Sequence, residues 1–164
     1  MSRRQIQKRS FWVSFILALS SGASHANDAE NSKVCAPLLD DLFAPRIAQE
    51  IEMQFQKAWA KVGAKDGERL AADLIRRYSE PHRAYHSLAH IRDCLQKVDA
   101  YLAADPKLAK FRPDLVIAFL FHDAIYESSA RVPAIDNERE SANLFLRHAA
   151  GMKPEVVVNV EKLI

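Results

Sequence analysis

The stretch Leu115-Val116-Ile117-Ala118-Phe119-Leu120-Phe121, resumed after His122-Asp123 by Ala124-Ile125-Tyr126, is apolar around nearly the whole circumference of a helix. A helix of that kind has no face to give to water, so it belongs inside a fold and the rest of the chain must cover it. His122-Asp123 is the exception within it. A carboxylate buried there without a partner costs several kcal/mol, a large share of the roughly 5–15 kcal/mol by which a domain is stable.

The surrounding sequence supplies helices to do the covering. Apolar residues recur at intervals of three and four, only 4 residues are Gly, and strand-like alternation is missing. The expected helices run at about 44–62, 67–79, 87–104, 113–126, 137–150 and 154–164, which makes an all-α, single-domain helical bundle over residues 44–164. Asp66 before Gly67-Glu68, and Asn137 with Glu140 three residues on, read as N-caps. Gly151 marks a helix end, and Asp105-Pro106 and Arg112-Pro113 mark connections.

Tyr85-His86-Ser87-Leu88-Ala89-His90 offers Asp123 a partner through a metal ion. Its two histidines are four apart and so share a helix face, and His122 follows His90 by 32 residues. A divalent cation held by His90, His122 and Asp123 satisfies three polar groups at once. Hydrogen bonding must satisfy each of them separately. Imidazole nitrogen and carboxylate oxygen leave the ion's identity open among Mn, Fe, Zn, Ni, Co and Mg.

The run Arg77-Tyr78-Ser79-Glu80-Pro81-His82-Arg83-Ala84-Tyr85-His86-Ser87-Leu88-Ala89-His90-Ile91, then Phe121-His122-Asp123-Ala124-Ile125-Tyr126, then Asp136-Asn137-Glu138 and Ser141-Ala142, resembles the metal-dependent phosphohydrolases of the HD superfamily. The resemblance covers roughly Gln54 to Ile164, with the motifs in family order and spacing. It implies an all-helical domain in which His90 corresponds to the first metal-binding histidine and His122-Asp123 to the doublet, with His86 as a secondary metal-ligand candidate. It also implies a later His-containing segment and a last metal-binding aspartate. The sequence ends at Ile164 before reaching them, and the expectation is a C-terminally truncated copy or an incomplete gene model. The final segment, from Pro154, carries an apolar face of Val157, Val160, Leu163 and Ile164 for which the sequence shows no packing partner.

Arg3, Arg4, Lys8 and Arg9 precede the apolar run Phe11 to Leu19, and Ser24-His25-Ala26 supplies small residues at the positions a signal peptidase reads. Residues 1–26 are therefore expected to be a signal peptide and residues 27–43 a polar leader and first turn, placing the protein in the periplasm or outside the cell. The alternative is a mis-chosen initiator Met and a cytoplasmic protein. Cleavage at this point leaves 19 basic against 21 acidic residues, a net charge of −2. That balance gives no reason to expect nucleic acid as a partner, and no stretch beyond the leader is long and apolar enough to span a membrane. Cys35 and Cys94 are the only cysteines and lack metal-binding or redox spacing, so two free thiols are expected rather than a disulfide.

The expected chemistry is hydrolysis of a phosphoester in a small phosphorylated metabolite or nucleotide, by water activated at the metal. Asp123 would orient the nucleophile or bridge a second metal. Glu138 is the candidate for proton transfer or for supporting the cluster, with an acidic first-turn residue favoured by the helix dipole as the alternative. Arg83 is the candidate for holding the substrate phosphate, with an ordinary surface arginine as the alternative. Two further functions stay open: a metal-binding protein without turnover, whether pseudoenzyme or inactive fragment, and a helical envelope protein.

Overall fold

The computed structural model describes residues 36–127 and 135–164, with side chains from residue 44 onward. The signal-peptide reading of residues 1–26 and Cys35 lie outside the described residues. Those described form six α-helices: α1 (Ala36–Lys61), α2 (Gly67–Tyr78), α3 (Leu88–Ala104), α4 (Arg112–Phe121), α5 (Asn137–His148) and α6 (Pro154–Glu161). A 3-10 helix at Pro106–Phe111 joins α3 to α4. There is no strand among the described residues, and the fold is all-α. No helix among them is long and apolar enough to cross a membrane.

α4 is the axis of the bundle. Every residue from Pro113 to Phe121 is buried, and the helix packs against α1, α3, α5 and α6, as a segment apolar on all sides requires. Around it, α1 contributes Ile47, Ile51, Phe55 and Trp59, α2 contributes Leu70, Leu74 and Tyr78, and α3 contributes Ile91, Leu95, Val98 and Leu102. These sit at the three- and four-residue intervals that put side chains on one helix face. At the end of α4 the Phe121 ring lies 6.3 Å from Phe55, 6.1 Å from Trp59 and 5.4 Å from Phe145. One aromatic cluster thus ties α1 and α5 to the base of the His122-Asp123 turn.

Two helix boundaries and two caps depart most from the sequence expectation. α1 reaches back to Ala36 and carries Pro45 in its interior, whereas the sequence favours a start near that proline, where a missing N–H does no harm. α4 stops at Phe121 instead of continuing to residue 126, for reasons that belong to the site below. Asp66 precedes α2 in the left-handed region, at φ 58°, and makes no side-chain cap bond. α5 is capped by Asp136, which accepts from the Arg139 amide at 2.9 Å. Asn137 instead accepts from the Glu127 amide and donates to the Glu127 carbonyl. Gly151, at φ 87°, does mark the turn after α5.

The apolar face of α6 is not left bare. Val160 is fully buried, and Val156, Val157, Leu163 and Ile164 pack against the core. Asn159 on the same helix donates to Asp114 Oδ2 at 3.1 Å, pinning α6 to the first turn of α4.

Burial raises the Asp114 carboxyl above the usual carboxylate range, with the Asn159 hydrogen bond opposing it. The penalty on the ionised form is absent below the ordinary range and grows as pH rises through the folded value. Asp114→Asn removes that charge at nearly constant size. It is expected to melt a few degrees above the parent at pH 7 and no higher than the parent at pH 3, as followed by circular dichroism.

Candidate metal centre

Three separate pieces of backbone bring the site together. His90 lies in the first turn of α3 and is buried, whereas His86 stands before the helix, in the loop that leads to its N-cap Ser87. The pair therefore meets across the loop-to-helix junction, ring centroids 5.7 Å apart, and not as two turns of one helix face. His122 caps the C-terminus of α4 and Asp123 follows in the turn. Among the described residues, His86, His90 and Asp123 each offer a ligand atom, all within 4.8 Å of one another. His86, secondary in the sequence reading, is thus a full member, and His122 stands beside the group with its ring 5.5 Å from that of His90.

α4 ends where it does because tertiary partners take over its backbone groups. The His122 amide still bonds the Ala118 carbonyl, but the Asp123 N–H donates to the Tyr78 hydroxyl at 3.3 Å. The Phe119 carbonyl, which would have received the Asp123 N–H, instead accepts from His122 Nδ1 at 2.7 Å. Further along, the Ile125 N–H donates to Ser141 Oγ on α5. The helix yields to a turn that presents both the His122 and Asp123 side chains at its end.

Asp123 Oδ2 is the focus of the cluster, 2.7 Å from His86 Nδ1 and 2.7 Å from His122 Nε2. A carbonyl only accepts, so His122 Nδ1 donates to Phe119 and Nε2 is the ring nitrogen that faces Asp123 Oδ2. The bonds and charges of His122 and His86 outweigh the upward push of burial on Asp123 and hold its carboxyl at about 2. Burial, reinforced by His122, brings His90 down to about 4. At neutral pH Asp123 is therefore ionised and His90 neutral, the forms in which these two side chains bind a metal.

The donor set fits a divalent cation. Bonds of about 2.0–2.2 Å would set ligand atoms roughly 3–4 Å apart, within reach of small side-chain rotations from the observed spacing. Among the described residues, buried His90 has a weak hydrogen-bonding contact with the Cys94 thiol, 3.6 Å from Nε2 and 4.0 Å from Nδ1. Burial pushes that thiol up to about 12, so Cys94 is a neutral neighbour at physiological pH.

The remaining candidates lie elsewhere. Arg83 is neither a surface residue nor free to hold a substrate phosphate: its side chain is 1% exposed, and it donates to the Asp123 and Ala124 carbonyls. Glu138 is exposed in the first turn of α5 and outside the His86–His90–Asp123 group, a placement that suits the helix dipole. Sequence reasoning assigned no role to Tyr78, Tyr85, Cys94 or Tyr126. Tyr85 is 57% exposed with its ring 4.7 Å from His90, and Tyr126 lies 4.6 Å from His86. An aromatic flanking each histidine is a signal the sequence does carry, since Tyr85 and Tyr126 adjoin the two motifs.

Comparison of the chain with family models, with curated proteins and with solved structures yields no match.

Proposed function

We propose that the protein is a metal-dependent phosphohydrolase of the HD type, cleaving a phosphoester of a small metabolite or nucleotide. The observation that carries this reading is the convergence of His86, His90 and Asp123 at one point, with His122 directed at the same carboxylate oxygen. The motif order that resembles the HD superfamily agrees with it. A divalent cation held by these residues would supply a Lewis acid for a phosphoryl oxygen and lower the pKa of water. Asp123 would accept a proton or orient the nucleophile through whichever oxygen is not engaged. His122, fixed by the Phe119 carbonyl, holds its Nε2 toward the site. Tyr85, largely exposed beside His90, gives the mouth of the site an aromatic wall.

Phosphate release from a chromogenic phosphomonoester and from a diester, with Mn²⁺ and with a chelator, tests the reading. Turnover is expected with metal and at least tenfold less with chelator. Stoichiometric metal without turnover would favour the second reading, a metal-binding protein without catalysis. The exposure of Glu138 supports that alternative, because it leaves the cluster without the additional carboxylate that the sequence suggested for proton transfer.

A further inference from the structure

Arg83 is the most fully enclosed charged side chain of the loop between α2 and α3, and burying a guanidinium is costly unless its donors and its charge are met. Here they are met in a particular way. Nη1 donates to the Asp123 carbonyl at 2.6 Å and Nη2 to the Ala124 carbonyl at 3.2 Å, while Nε donates to Glu80 at 3.1 Å. The guanidinium carbon lies 5.1 Å from the Tyr78 ring centre and 5.4 Å from that of Tyr126. A rigid planar fork is thus held between two aromatic rings and grips two successive peptide carbonyls.

We propose that Arg83 is the positioning residue of the metal centre, setting the direction in which Asp123 presents its carboxylate; this rests on the metal-binding reading of His86, His90 and Asp123. Two carbonyls fixed by one plane determine the orientation of the peptide groups on the C-terminal side of Asp123. The Tyr78 hydroxyl, accepting the Asp123 N–H, determines the one before it. With the backbone held on both sides, the Cα–Cβ direction of Asp123 follows. The same cation backs the Tyr126 ring, whose contact with His86 at 4.6 Å carries the constraint to a second ligand. A positive group capping a helix C-terminus would need only one carbonyl and no aromatic sandwich. The fork and the two rings are what orientation requires.

Co²⁺ titration of the full chain, read by its visible absorption bands as well as by affinity, tests this. Arg83→Lys keeps the charge but offers a point donor that cannot span both carbonyls, and Arg112→Lys alters an arginine paired with Asp99 and Gln54 on α3 and α1. Arg83→Lys is expected to bind Co²⁺ about 10–100-fold more weakly and with altered band shape, because ligand-supporting partners have effects of that size. Arg112→Lys is expected to match the parent in both. Should Arg83→Lys fail to fold by circular dichroism, Glu80→Gln decides, since it loosens Nε while leaving the carbonyl clamp and every ligand in place. It is expected to weaken Co²⁺ by about threefold, the scale of one net hydrogen bond, with a shifted spectrum. Parent-like affinity and spectrum in the folded Arg83 variant, or in Glu80→Gln where that variant does not fold, overturn the positioning role while leaving the metal site intact. Absence of Co²⁺ binding by the parent chain overturns the metal reading itself and the positioning role with it.

Discussion

Asp123→Asn is expected to abolish metal binding, with affinity for Mn²⁺ or Zn²⁺ falling by on the order of 100-fold or more, since changes to groups that merely support a ligand already cost about 10–100-fold. The substitution is nearly isosteric, so the turn after α4 keeps its backbone partners in Tyr78 and Arg83. What changes is charge. Asp123 Oδ2 is the atom on which His86 and His122 both converge, and it is the anionic member of the group. A neutral amide oxygen attracts a divalent cation far less, and amide nitrogen cannot replace it. His148→Ala provides the comparison: that histidine is exposed at the end of α5 and should bind metal as the parent does. Isothermal titration of both variants checks this. Equal metal content in the two would remove Asp123 from the site and leave the histidine cluster without its charge.

Much of the architecture is written in local patterns. The all-round apolarity of residues 115–121 required a central helix, and α4 is that helix, buried along its length and surrounded by four others. The three- and four-residue recurrence located the other helices to within a turn, apart from the start of α1, because that periodicity is a property of each segment alone. What the sequence could not show were choices between competing partners. The end of α4 is the clearest case: nothing in residues 119–125 says that the Tyr78 hydroxyl and Ser141 Oγ will draw amides out of the helix. Apolar content alone therefore carried the expected helix too far.

The candidate site divides along the same line. Part of its membership was legible, since both motifs announce themselves by histidine spacing and by an ionisable pair in an apolar setting. The ranking within it was not. His86 joins the three-residue group and His122 takes a position behind the carboxylate, an order that depends on where α3 begins and α4 ends. Arg83 shows the limit most sharply. An arginine after Pro81-His82 in a loop reads as a surface or substrate-facing cation, and its burial between Tyr78 and Tyr126 is decided by residues five before it and 43 after it.

Phe121→Ala should produce the largest loss of stability of any change discussed, about 3–5 kcal/mol, a large fraction of the roughly 5–15 kcal/mol that holds a domain together. The side chain is fully buried and its ring is enclosed by Phe55, Trp59 and Phe145, which come from α1 and α5. Removing it both forfeits apolar burial and opens a cavity that three rigid rings cannot readily close. Leu146→Ala, at a side chain 40% exposed on α5, is expected to change stability by less than about 1 kcal/mol. Urea unfolding of the two variants checks the contrast through their midpoints. The position adds a second, coupled effect, because Phe121 immediately precedes His122 and anchors the helix end from which the site projects. A ligand that binds only the folded chain stabilises it by mass action, so saturating Mn²⁺ should recover part of the lost stability in Phe121→Ala. Recovery requires that the cluster still form when its anchor is gone. If the variant loses stability as expected but gains nothing from metal, the aromatic cluster and the His86–His90–Asp123 group form one cooperative unit. A loss below about 1 kcal/mol would instead mean that the ring is not enclosed as its contacts indicate.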